Sequence, residues 1–114
     1  MDLRTAVGSS GAHVPAHWFL EVANGLCSAA RRGRVDALRL AAFIQGLGGL
    51  DLTMDPDNGG GAFGPVLTLA RHERLSAYDA AYLDLALRRQ LPLATRDEAL
   101  ATAARRLGIS LIPA

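Results

Sequence analysis

Two carboxylates stand close to predicted helix starts in the stretch Leu75–Asp97, LSAYDAAYLDLALRRQLPLATRD: Asp79 in one helix and Asp97 just ahead of the next. Acids delivered to neighbouring helix N-termini at one edge of a sheet could hold a divalent cation, because hard ions prefer carboxylate oxygens. Each acid also has a plainer duty open to it. Ser76 and Asp79 have S-x-x-D spacing, so Asp79 can complete a capping box for its own helix. On a helical wheel Asp79 lies beside Tyr82, Leu83 and Ala86 on the apolar side, whereas Asp84 and Arg88 read as a solvated i,i+4 pair on the far side. A carboxylate at the top of a buried face needs a partner, since burying an unpaired charge costs several kcal/mol. Metal, Arg or backbone N–H groups would all serve. Thr95 with Glu98 fits a second capping box, which would release Asp97 from that task.

The elements that must position these acids follow from periodicity and punctuation. Pro15 suits the first turn of a helix running to about Arg32, where Gly33 stops it. On it His17, Glu21, Asn24, Ser28 and Arg31 recur at spacings of 4, 3, 4 and 3 and make one polar stripe, opposite Trp18, Phe19, Val22, Leu26 and Ala29. Pattern alone leaves Glu21 either a member of that stripe or something more. Further helices are expected over Arg34–Leu47, Gly64–Arg74 and Glu98–Leu107, and a short helical tail over Leu3–Val7. Short apolar strands are expected at 12–14, 50–54, 91–94 and 109–112, the second at a sheet edge. Helices alternating with such strands predict an α/β protein with a parallel sheet covered by helices, as one domain over 1–114. In such sheets ligands collect beyond the carboxyl ends of the strands. Asp97 falls just past one.

Other chemistry finds little support. The glycines of Asp55–Gly61 lack the GK[ST] ending and the GxGxxG pattern of a phosphate cradle. His13 and His17 are separated by Pro15, and His72 is remote from both, so the histidines make no metal site by spacing. Ser9 and Ser10 lack a nucleophile elbow.

The 114 residues suit a single core; half are hydrophobic and a fifth are charged. Net charge is +1, and all twelve basic residues are Arg. Several are clustered: Arg31, Arg32 and Arg34, Arg88 and Arg89, Arg105 and Arg106. Such pairs either steer a polyanion through bidentate phosphate contacts or offset helix dipoles at solvated ends. The lone Cys27 excludes an intrachain disulfide and reads as a small buried packing residue. No apolar run approaches the roughly 20 residues that span a bilayer. The first residues lack the basic start and apolar core of a signal peptide, so a cytoplasmic protein without membrane contact is expected.

Val14-Pro15-Ala16-His17-Trp18 leading to Glu21-Val22-Ala23-Asn24, then Leu75–Tyr82, then Leu93–Leu100, then Gly108–Ile112 form an ordered set spanning about residues 13–112. In that set the chain resembles PIN-domain proteins of the VapC toxin type. The resemblance implies a Rossmann-like, three-layer parallel sheet with helices on both faces and about four short strands here. It also implies an acidic Mg²⁺ or Mn²⁺ site and endoribonuclease activity restrained by a VapB-like antitoxin. By position it assigns Glu21, Asp79 and Asp97 as the catalytic, metal-holding acids, with Asn24 and Thr95 as supporting polar residues. Arg31, Arg32, Arg34 and Arg96 would contact the RNA backbone. Family members begin with a central strand ending in an aspartate, then a helix, before the segment matched here. The sequence starts after both, and Asp2 follows no hydrophobic strand. Three acids rather than four are therefore expected, together with an open seam in the sheet that favours a homodimer, other self-association or a borrowed element. Two functions follow: a toxin-type ribonuclease impaired by loss of its first ligand, or a catalytically degenerate PIN-like module that binds a second copy or an antitoxin.

Overall fold

A computed structural model describes residues 4–8, 11–57 and 60–112. Leu3 of the expected helical tail, Asp2, the Ser9-Ser10 pair, and Asn58 and Gly59 of the glycine loop lie outside these residues. Among the described residues the elements run β1 (Thr5–Gly8), β2 (Gly11–Val14), α1 (Trp18–Arg31), α2 (Ala37–Gly48), β3 (Leu52–Met54), a π-helical turn (Ala62–Val66), α3 (Leu67–Glu73), α4 (Ala77–Arg89), β4 (Leu93–Ala94), α5 (Glu98–Arg106) and β5 (Leu111–Ile112).

The five strands form one sheet in the order β3-β2-β1-β4-β5. β2 pairs parallel with β3, and β4 parallel with β5, whereas β1 runs antiparallel to both of its neighbours, β2 and β4. Four strands thus share one direction and the central one opposes them. This corrects the expected parallel sheet of four strands to a mixed sheet of five. It also corrects the helical tail. Thr5-Ala6-Val7-Gly8 carries two β-branched residues, and ladder partners on both sides outweigh any local helical tendency. The expected open seam is filled by this reversed strand, while Leu52–Met54 takes the edge place expected for it.

The hairpin between β1 and β2 depends on Gly11. Its φ is +106°, and a Cβ there would stand 2.6 Å from the Asp51 carbonyl oxygen. Only glycine allows that approach, which Ala12 N–H uses to donate to the same carbonyl at 3.0 Å.

The core gathers Ala6 and Val14 of the sheet, Trp18, Val22 and Leu26 of α1, Tyr82, Leu83, Leu85 and Ala86 of α4, Leu93, and Leu100, Ala103 and Ala104 of α5. The buried residues of α1 recur at i, i+4 and i+8, as one stripe must. Cys27 lies one residue past that stripe and is exposed, which corrects the expectation that it packs inside. α4 is buried continuously from Ala80 to Ala86 because it lies against β1, β2 and β4 as well as α3 and the π-helical turn. Such a helix has no solvated face to offer Asp84, which is buried as well. The expected solvated Asp84–Arg88 pair instead has a buried acid, and Arg88, partly exposed, joins it to a second buried acid, Asp55. Arg88 Nε donates to Asp84 at 2.9 Å and Arg88 Nη2 to the fully buried Asp55 side chain at 2.5 Å, with Arg89 donating to the other Asp55 oxygen at 3.4 Å. Burial pushes the Asp55 carboxyl up, but Arg88, the Asp57 backbone N–H and Arg89 together outweigh it, and the group ends below its ordinary value. The expected helix Gly64–Arg74 begins in a π-helical turn around Pro65, whose missing N–H breaks the regular ladder.

Candidate acidic site

β1 determines what arrives at the carboxyl ends of β2 and β4. In the β1–β4 register Thr5 lies opposite Ala94 and Ala6 opposite Leu93. Arg4 therefore falls beside Thr95, where β4 ends and the loop to α5 begins. A strand running with its neighbours would deliver its last residue to this edge; a reversed strand delivers its first. Residues two apart share a face, so Arg4 follows the side of Ala6, which is buried against α4.

Three acids approach the same place from three elements. Asp79 sits in the first turn of α4, whose N-cap Ser76 accepts from the Asp79 N–H at 3.0 Å. The predicted serine cap is present, and the Asp79 carboxylate is turned to Arg4, whose Nη1 donates to its Oδ1. Asp97 is the N-cap of α5: its Oδ1 accepts from Leu100 N–H at 2.8 Å, while Oδ2 faces Arg4 Nη2 at 3.5 Å. The expected capping box is thus shifted by two residues. Thr95 Oγ1 instead accepts from Asp97 N–H at 3.0 Å and fixes the entry to the cap. Asp97 is not released from capping, because an aspartate directly before the first helical residue outcompetes a threonine two positions back.

Glu21, in the first turn of α1, accepts from the Tyr82 hydroxyl at 2.5 Å and lies 3.5 Å from His17 Nε2. His17 Nε2–H donates to the Tyr78 carbonyl at 3.0 Å, and its ring meets those of Tyr78 and Tyr82 edge-on. The Arg4 guanidinium stands 5.8 Å from the Tyr82 ring centroid. Burial first, then the hydrogen bond to Glu21, raises the Tyr82 phenol above its ordinary value, so it remains a neutral donor to that carboxylate.

The other sequence-selected residues are less central. Thr95 belongs to the site through its contact with Asp97. Asn24 is exposed one turn beyond Glu21. Arg96 is exposed next to Asp97, while Arg31, Arg32 and Arg34 are exposed at the far end of α1. Ten residues of helix put Arg31 roughly 15 Å from Glu21 along the axis, so that cluster is not part of the acidic edge.

These residues do not fit a divalent ion as they are arranged. The Asp79–Asp97 pair already spans a guanidinium, and Glu21 is turned to Tyr82. Among the described residues no group of three or more His, Cys, Asp or Glu is placed to hold a metal. Arg4, His17 and Tyr82 are the members that sequence reasoning missed. Tyr82 had a usable signal, since it lies three residues after Asp79 on the same buried face.

Compared with protein-family models the chain matches none, and no curated protein is significantly similar to it.

Proposed function

We propose that the chain is a PIN-type module of the VapC toxin kind, with a three-layer fold, whose ribonuclease edge is closed by its own Arg4. In this form it binds a partner rather than cleaving RNA. The observation that carries this is the Arg4 guanidinium between Asp79 and Asp97. Support for the lineage comes from Asp79 and Asp97, which share Arg4 at the carboxyl end of β4, where α/β folds place ligands, and from Glu21, which holds the hydroxyl of Tyr82, whose ring lies 5.8 Å from the Arg4 guanidinium. The partner would be a second copy or a VapB-like antitoxin, and the exposed apolar residues of α1 and α2 offer it a surface. The ribonuclease reading, with Mg²⁺ or Mn²⁺ as cofactor and Arg96 nearest the RNA, requires Arg4 to leave the Asp79–Asp97 pair.

A cleavage assay on single-stranded RNA with millimolar Mn²⁺ or with EDTA separates the two. Equal, background-level cleavage in both is expected. Mn²⁺-dependent cleavage that disappears in Asp79→Asn would replace the binding reading with the ribonuclease.

A further inference from the structure

We propose that Arg4 is the resident cation of the acidic edge: its guanidinium stands where a divalent ion would have to stand and ties β1 to α4 and α5. This deepens the reading above by stating what that closure does to divalent-ion binding. It rests on taking Glu21, Asp79 and Asp97 as one site.

Three observations converge on Arg4. Its two terminal nitrogens are divided between two carboxylates, one on α4 and one at the start of α5. Its side chain is largely enclosed, with a relative exposure of 17 %, so the charge is not a solvated ornament. Its position follows from the reversed central strand, which is held by ladders on both sides and delivers its first residue to this edge. Among the described residues, the charged and titratable groups that face it include Asp79, Asp97 and, across the Tyr82 ring, Glu21. A monovalent guanidinium leaves this edge net negative, and its planar fork matches two separated carboxylate oxygens better than an ammonium would.

Competition also favours the guanidinium. A group fixed in the same fold acts at an effective concentration of about millimolar or more. A hard ion with only two protein carboxylates binds weakly and must give up part of its hydration shell. The wild-type edge is therefore indifferent to divalent ions. Removing the guanidinium leaves two carboxylates facing each other with no cation between them, and a divalent ion then becomes a stabilising ligand.

The test uses the full chain as wild type, Arg4→Gln and the double variant Arg4→Gln/Asp79→Asn, with MnCl₂ as the probe. Calorimetric titration of the wild type should give no binding heat, and its unfolding midpoint should be the same in EDTA and in millimolar Mn²⁺. Arg4→Gln should melt roughly 5 °C lower in EDTA and recover part of that loss in Mn²⁺. The double variant should not respond to Mn²⁺. Wild-type Mn²⁺ binding that is lost in Asp79→Asn would overturn the proposal, whether or not Arg4→Gln folds. An Arg4→Gln midpoint unmoved by Mn²⁺ would overturn it too. If wild type binds Mn²⁺ without cleaving RNA, this inference and the closed edge fail, and only the partner-binding part of the reading above stands. If it binds Mn²⁺ and cleaves RNA, both fail.

Discussion

Asp97 does two jobs with two oxygens, one accepting from Leu100 N–H and the other facing Arg4. The jobs can be separated. Asparagine is as good an N-cap as aspartate but cannot form the ion pair, whereas alanine does neither. Asp97→Ala is therefore expected to cost about 1 kcal/mol more than Asp97→Asn in urea unfolding, the difference being the cap; equal losses would remove the cap from the account. Asp55 makes a prediction about pH. Its carboxyl is held below the ordinary value in the folded chain, so its contribution is present above the ordinary aspartate value of about 3.9 and is lost as pH falls through the folded value. Asp55→Asn should flatten the loss of stability below about pH 4, read as a shallower dependence of the urea midpoint on pH. At this scale the sequence was informative where a residue's neighbours on one helix decide its fate. The wheel separated Asp79 from solvent and correctly left Arg among its possible partners. It failed for Asp84, whose burial is set by what packs on the other side of α4.

β1 and α4 carry the arrangement at the scale of elements. α1, α2, α5 and the strands β2 to β5 were legible because stripes, glycine stops and short apolar runs are local signals. The strand β1 was not. Four residues show no useful period, and the direction of pairing is decided by contacts with β4, nearly ninety residues away in the chain. α4 shows the complementary case: its place as a helix was plain, but burial on all sides depends on the sheet and α3 together. The Asp55–Arg88 contact ties its last turn to the end of β3. Arg88→Ala would take from the buried Asp55 its 2.5 Å ion pair, at a cost of roughly 3 kcal/mol in urea unfolding. A loss no larger than that of an ordinary surface substitution would show that the cluster is solvated.

The whole molecule is less compact than its length predicts. Its radius of gyration is 14.5 Å, against about 13 Å for a domain of this size. The excess agrees with α2, none of whose residues is fully buried: Leu38 is 81 % and Ile44 55 % exposed. An apolar helix face left in water favours association. Light scattering should find a mass that rises with concentration, and Leu38→Lys/Ile44→Lys should return it toward that of one chain. No change in mass with those two lysines would place the contact elsewhere. Association and closure of the acidic edge are independent claims, since one rests on the exposed apolar residues of α2 and the other on the Arg4 contacts. The edge is the more central of the two. It is tested most directly by a double-mutant cycle between Arg4 and Asp79, using urea unfolding of wild type, Arg4→Gln, Asp79→Asn and the double variant. A partly buried ion pair predicts a coupling of about 1–2 kcal/mol, with the double variant losing less than the sum of the single losses. Losses that simply add would mean that Arg4 does not hold Asp79, and the closed edge would be contradicted.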